Sequence, residues 1–388
     1  MIYKTMCEEN VSLLGFGAMR LPQLEDGSID EAQVEDMVRW AMDHGVNYFD
    51  TAWPYHGGQS ERVMGRVLAK YPRESFFLAD KYPGHQNAEV YDPAAVFEAQ
   101  LEKCGVEYFD FYLLHNVNEN CIDVYKDSKW GILDYFREQK RKGRIKHLGF
   151  SSHGNLQLME DFIDWCGGDM EFCQIQLNYL DWTLQDAEAK YEMLKARGIP
   201  VIVMEPVRGG RLCNLSDTEM DKLQKLRPGV SAAEWGLRFL QDMDGILTIL
   251  SGASSSQQLK ENVACFEEVQ PLGDAERTAL FEIAEGMNSS VPCTSCRYCC
   301  DGCPAGLDIP LLLSVANDMR FAPSVGTAQR IEGLPEDKKA SACIGCGKCI
   351  KICPQNIDIP AVLSELTEAI AKLPTWAEIC RQRALEQK

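Results

Sequence analysis

The chain alternates between short apolar runs and longer stretches in which apolar residues return every three to four positions. Eight runs are rich in β-branched and aromatic residues: Leu13–Ala18, Val46–Phe49, Phe76–Ala79, Phe109–Leu114, His147–Phe150, Phe172–Gln176, Pro200–Met204 and Ile246–Leu250. Stretches of helical period separate and follow them: Asp30–Asp43, Pro93–Cys104, Lys129–Lys142, Asn155–Trp165, Leu184–Ala196, Ala232–Gln241, Ser256–Cys265 and Asp274–Met287. Strands that are apolar throughout are covered on both faces, as in a parallel sheet wrapped by helices. Eight strand–helix units predict an α/β fold of the closed (β/α)8 barrel type rather than an open doubly wound sheet. No G-x-G-x-x-G follows a strand, which weakens a Rossmann reading.

Near Asn288-Ser-Ser-Val-Pro292 the pattern changes, predicting a barrel domain over 1–288 and a second domain over 289–388. The second carries Cys293-x2-Cys296-x2-Cys299-x3-Cys303-Pro and, later, Cys343-x2-Cys346-x2-Cys349-x3-Cys353-Pro. This is the ligand run of bacterial two-cluster ferredoxins, in which the fourth cysteine of each run serves the other cluster. The spacing assigns Cys293, Cys296, Cys299 and Cys353 to one [4Fe–4S] cluster, and Cys343, Cys346, Cys349 and Cys303 to the other. Cys300 is the extra cysteine, beside Cys299. Structural zinc prefers separated C-x2-C pairs closing on one tetrahedron, a poorer match. An internal repeat supports the pairing: Cys303-Pro-Ala-Gly-Leu-Asp-Ile-Pro aligns with Cys353-Pro-Gln-Asn-Ile-Asp-Ile-Pro. Asp308 and Asp358 read as N-caps, with Pro310 and Pro360 in the first turn. An α-helical, ferredoxin-like iron–sulfur domain is therefore expected.

Composition narrows the partners. The 388 residues carry 39 Lys+Arg and 58 Asp+Glu, a formal charge of −19. From Ser289 onward there are 11 of each, so the whole excess lies in the barrel. Such an acidic surface argues against nucleic acid and against anionic membranes. No apolar run reaches a membrane span, and the amino terminus lacks a signal-peptide core, so a cytoplasmic location is expected. Ten of the 17 cysteines fall in the last 96 residues, nine of them in the two runs, a distribution that points to metal rather than disulfides.

The candidate chemistry sits at the ends of successive strands. Asp50 closes Val46–Phe49, with Tyr55 five residues on; Lys81 follows Phe76–Ala79, and His115 follows Phe109–Leu114. A phenol titrates near ~10, so it needs help to act as an acid at neutral pH. An ammonium beside it favours the phenolate, and a carboxylate holds that ammonium charged. A histidine can hold a carbonyl oxygen and pass a proton.

At this point the sequence resembles the aldo-keto reductase family. The matching residues are Gly15-Phe-Gly-Ala-Met19, Phe49-Asp-Thr-Ala52, Tyr55, Ser60-Glu61, Lys81, Leu113-Leu-His115, Gly149-Phe-Ser-Ser152, Gln174-Ile-Gln-Leu-Asn178, Pro200-Val-Ile-Val-Met-Glu-Pro206 and Glu261-Asn262, across roughly Met1 to Met287. The resemblance implies a general acid, Tyr55, completed by Asp50, Lys81 and His115. It implies nicotinamide contacts from Ser151, Ser152, Gln176 and Asn178, and further cofactor contacts from Gly17, Met19, Met204, Pro206, Gln258, Glu261 and Asn262. In the loop Glu205–Leu212, Gly209 and Gly210 would admit a pyrophosphate, and Arg208 or Arg211 would neutralise it. Arg20, Trp53, His56, Tyr82, Asn116 and Tyr179 are candidate pocket walls. The sequence departs from the family twice. It has Met204-Glu205 where many members stack a tyrosine on the nicotinamide. It also has no cation in Ser251–Gln258, where many bind the 2′-phosphate of NADP, so NAD(H) is favoured.

The expected function is a nicotinamide-dependent oxidoreductase acting on a small carbonyl or alcohol. Two clusters imply a one-electron partner, a ferredoxin or flavoprotein, or a bound flavin that splits the electron pair. The alternative is an electron-transfer subunit whose barrel is a nucleotide-binding or docking module.

Overall fold

The computed structural model describes residues 1–6, 8–86, 88–287, 291–321 and 325–374. It divides into two compact units, Met1–Gly286 and Met287–Lys388; the expected boundary at 288/289 lies outside the described residues. No described helix is long and apolar enough to cross a membrane.

The first unit opens with an antiparallel hairpin, β1 (Tyr3–Met6) and β2 (Glu9–Ser12). Eight strands follow: β3 (Leu14–Gly17), β4 (Tyr48–Asp50), β5 (Phe77–Tyr82), β6 (Phe109–Val117), β7 (Ile145–Ser152), β8 (Cys173–Gln176), β9 (Val201–Met204) and β10 (Ile246–Ser251). They pair in chain order, all parallel, and β10 returns to β3 to close the barrel. The (β/α)8 barrel read from the hydrophobic pattern is the observed architecture.

The helices begin where the sequence supplies caps. Asp30 accepts from Gln33 N to open Glu31–Asp43, and Asp92 accepts from Ala95 N to open Pro93–Cys104. That second helix has Pro in its first turn and ends on Gly105 in the left-handed region, at φ 66. Elements absent from the sequence reading include the β1–β2 hairpin and the helices Ser60–Leu68, Ile122–Lys126 and Asp217–Leu226.

Along each strand, side chains alternate between the barrel interior and the helical layer. Tyr48, Ala79, Phe111 and Leu113 share one buried cluster with Phe172, Ile202 and Leu247, and the hairpin's Met6 and Val11 join it. Asp50, Lys81 and His115 follow these residues in the same phase, two positions nearer the carboxyl ends. The intervening residues point outward: Tyr82 and Tyr112 pack against Phe136, fixing β5 and β6 to the helical layer.

The second unit is helical. Helices Ile309–Phe321 and Ile359–Ala371 share a core that includes Leu312, Leu313, Val315, Leu363 and Leu366. The expected N-caps are present: Asp308 Oδ1 accepts from Leu311 N and Asp358 Oδ1 from Ala361 N. The interval between the cysteine runs forms the helix Val325–Glu332, with Arg330 paired to Asp318.

Candidate active site and iron–sulfur ligands

Parallel pairing sets the heights of the candidate residues. Asp50 lies level with Gly17 and Ala79, and Lys81 with Leu113. Lys81 Nζ donates to Asp50 Oδ1 at 2.6 Å, to Thr51 O at 2.8 Å and to Tyr55 Oη at 3.3 Å. The Tyr55 and His115 rings meet edge to face with centroids 6.1 Å apart. All four side chains are buried. Asp50 Oδ2 and His115 Nδ1 have no hydrogen-bond partner among the described residues.

Electrostatics correct one expectation. Burial, reinforced by the Asp50 charge, holds Tyr55 well above the usual phenol range instead of making it acidic. Lys81 places its shorter bonds on Asp50 and Thr51 O and stands farther from the phenol. Burial also raises Asp50, against the pull of Lys81. Burial, with His85 and Lys81 adding to it, depresses His115. His85 and His153 complete a group of neutral imidazoles, lowered by burial to about 4 and about 3. The His85 and His115 ring centroids are 4.5 Å apart. Neither His85 nor His153 carries a motif that would have singled it out.

A shell of polar side chains backs Lys81. Gln100 Nε2 donates to Lys81 O and to Glu61 Oε1, and Lys103 Nζ donates to Glu61 Oε2 at 2.6 Å. Lys103 Nζ also lies 3.4 Å from the Trp53 ring centroid, so Glu61 is tied to the loop that carries Tyr55.

A cavity of about 440 Å³ opens among the loops after β9 and β10. Six of the expected cofactor residues line it: Pro206, Gly209, Gly210, Gln258, Glu261 and Asn262. The others lie elsewhere or serve internal bonds. Ser151 Oγ accepts from Asn116 N, and Ser152 Oγ donates to Val117 O. Gln176 and Asn178 both donate to Asp181 Oδ2, at 2.6 and 2.7 Å. Arg208 is buried, its Nη2 3.2 Å from Asp181 Oδ1, an ion pair rather than a well-formed hydrogen bond. It is thus bound inside the protein, and neither Arg208 nor Arg211 lines the cavity. Gly17, Met19 and Met204 also lie outside its lining. The cation that does line it is Arg20, whose Nη2 donates to Glu205 Oε1 at 2.8 Å. Of the other expected pocket walls, Tyr82 and Tyr179 are fully buried, with Tyr82 packing on Phe136 and Tyr179 on Phe239.

In the second unit, Cys303, Cys343, Cys346 and Cys349 surround one small cavity, walled by Leu307, Ile309 and Leu363. The two cysteine loops share their backbone form. Left-handed φ recurs at Ser295 and Gly345 (57 and 66), at Arg297 and Gly347 (66 and 68), and at Gly306 and Asn356 (58 and 51). Three non-glycine residues in that region, each at a turn matched by a glycine in the other run, show one loop conformation built twice. A small cavity lined by four cysteines from the two runs is of the kind an iron–sulfur cluster would use, and the first run repeats the loop form.

Comparison with known proteins agrees with this reading. A family model described as "Aldo/keto reductase family" matches residues 13–285, and one described as "4Fe-4S dicluster domain" matches residues 287–354. The NADH-specific methylglyoxal reductase of Escherichia coli is 22% identical over 305 residues, 68% of this chain and 90% of that protein. L-galactose dehydrogenase of Arabidopsis thaliana is 25% identical over 292 residues, 69% and 88% of the two chains. The holo form of aldo-keto reductase AKR11C1 from Bacillus halodurans superposes with a TM-score of 0.58 at 25% identity, covering 71% of this chain and 93% of that one. With the matched profile spanning most of the chain and an eight-stranded barrel within it, this protein belongs to the aldo/keto reductase family and carries a 4Fe–4S dicluster domain after the barrel in sequence.

Proposed function

We propose that the barrel interconverts a small carbonyl compound and its alcohol, with Tyr55 as general acid–base. The carrying observation is the Lys81 ammonium bonded to both Asp50 and Tyr55 at the end of the barrel interior. The roughly 440 Å³ cavity is of ligand size and would hold a nicotinamide dinucleotide, which supplies or accepts the hydride when bound. Tyr55 reaches neutral pH with its proton in place, because burial holds it there. As negative charge develops on the carbonyl oxygen, that proton moves onto it, and Lys81 at 3.3 Å balances the phenolate left behind. His115, kept neutral, hydrogen-bonds the same oxygen without competing for the proton. Asp50 keeps the ammonium in place throughout.

The cofactor favoured is NADH. Arg20 is the cation among the residues lining the cavity, and Glu205 already engages it. Lys260 lies with Nζ 4.7 Å from the Trp40 ring centroid, away from that lining. A 2′-phosphate would find no free cation there. One relative is itself named NADH-specific.

Cys303, Cys343, Cys346 and Cys349 would hold one cluster, and Cys293, Cys296, Cys299 and Cys353 the other. Such clusters pass electrons singly, so the proposal includes a ferredoxin or flavoprotein partner, or a flavin that splits the pair. The test is steady-state reduction of small aldehydes and ketones with NADH by wild type and Tyr55→Phe. Loss of turnover with unchanged NADH affinity supports the reading. Turnover that survives Tyr55→Phe, or no carbonyl turnover by either protein, overturns it and favours the electron-transfer subunit.

A further inference from the structure

Glu205 follows β9 directly, and its carboxylate lines the cavity with a side chain only 7% exposed. Its backbone is left-handed at φ 56, a conformation that non-glycine residues rarely adopt. Asn178 Nδ2, donating to Glu205 O at 2.9 Å, pins it there. Arg20 occupies one carboxylate oxygen; the other, Oε2, is buried with no partner among the described residues. A strained backbone and a half-satisfied carboxylate at a residue that lines a cavity point to a role beyond packing. Arg20 lies three residues after Gly17, which is level with Asp50, and the next residue, Leu21, donates its N–H to His56 Nε2 beside Tyr55, so the pair stands at the end of the barrel that holds the tetrad.

We propose that Glu205 sets the redox preference of the bound cofactor, its carboxylate favouring the positively charged oxidised nicotinamide over the neutral reduced form, with Arg20 as the counterweight that limits this bias. The proposal rests on the reading that a nicotinamide dinucleotide occupies the cavity. Its chemistry is balanced. Hydride transfer breaks a C–H bond of the dihydronicotinamide and forms one on the carbonyl carbon, and Tyr55 supplies the proton. The ring is oxidised, the carbonyl is reduced, and a positive charge is left where Glu205 can stabilise it. A buried carboxylate near that charge thus assists substrate reduction and retains the oxidised product.

The test uses the full chain without substrate. Dissociation constants for NAD+ and NADH are measured by fluorescence and calorimetry for wild type, Glu205→Gln and Arg20→Gln. Gln keeps the size of Glu and can still accept from Arg20. We expect Glu205→Gln to weaken NAD+ about tenfold relative to NADH, which is about 30 mV in the potential of the bound couple. Arg20→Gln should move the ratio the opposite way. Because each readout is a ratio, a general loss of affinity cancels. If both forms bind and the ratio is unchanged in Glu205→Gln, the proposal is wrong, whatever the cofactor reading. If Glu205→Gln does not fold, a ratio unmoved in Arg20→Gln overturns it equally. If wild type binds neither nicotinamide, the cofactor reading itself falls and takes this proposal with it.

Discussion

Tyr55 carries two opposing influences. Burial strengthens its hold on the proton, while Lys81, 3.3 Å away, stabilises the phenolate once the proton has gone. On the proposed reading the acid is therefore fully loaded at neutral pH and would be discharged only against a substrate oxygen that is becoming negative. Removing the hydroxyl in Tyr55→Phe should lower the reductive kcat by about a thousandfold and leave NADH affinity unchanged, as stopped-flow turnover and fluorescence titration would show. The pH profile follows from the signs. Tyr55 lies above the ordinary phenol value, so loss of its proton falls beyond neutral pH; His115 lies below the ordinary imidazole value, so its protonation falls on the acid side. The reductive kcat should stay level from about pH 7 to about pH 9; a fall across that window would contradict the Tyr55 assignment, and a rise the His115 one. Asp50, Lys81 and His115 were legible because each lies at or near the carboxyl end of a strand that hydrophobicity alone marks, and Tyr55 because it follows the first of these by five residues. Arg208 was misread as a pyrophosphate ligand because its partner, Asp181, is identified by the fold and not by spacing. The Arg20–Glu205 pair was hidden for the same reason, its members standing 185 positions apart.

Elements show where local pattern ends and long-range packing begins. The eight strands were visible because each is buried on both faces. The β1–β2 hairpin was not: Tyr3 is 46% exposed, and few of its residues are buried. Its reason for existing is the barrel cluster that Met6 and Val11 join, which no local pattern reveals. Two helices were missed although signals were present. Ser216 and Glu219 form a capping box before Asp217–Leu226, and Val63, Met64, Val67 and Leu68 make an apolar stripe along Ser60–Leu68. The latter helix also contains Gly65, where a Cβ would meet Cys104 O at 2.6 Å and Lys103 O at 2.7 Å. Alanine normally stabilises a helix interior by ~1 kcal/mol over glycine, but here backbone blocks it. Gly65→Ala should cost ~1–3 kcal/mol by forcing Ser60–Leu68 off Pro93–Cys104, seen as a lower urea midpoint by near-ultraviolet circular dichroism. Because Lys103 and Gln100 lie on that second helix and reach Glu61 and Lys81 O, the same change should lower kcat.

At the scale of the molecule, the charge pattern, the two cysteine runs and the internal repeat were readable as sequence, and the family profiles bear out the barrel and the dicluster domain. The chain should carry about eight irons when purified without oxygen. Cys303→Ala should leave about four, because it removes a ligand from the cavity shared with Cys343, Cys346 and Cys349 and none from the other set. Iron and sulfide analysis with electron paramagnetic resonance would check this, and a full complement of iron in that variant would refute the pairing.

That shared cavity also bears on how the protein is made. Cys303 leaves the ribosome well before the trio it faces, and 39 residues, Pro304 to Ala342, must be added in between. No pause after the first run can yield a finished centre there. On the proposed pairing, metal loading at this site would wait for the second run, and a message cut short between the two runs would give a barrel with both ligand sets incomplete rather than a half-equipped enzyme.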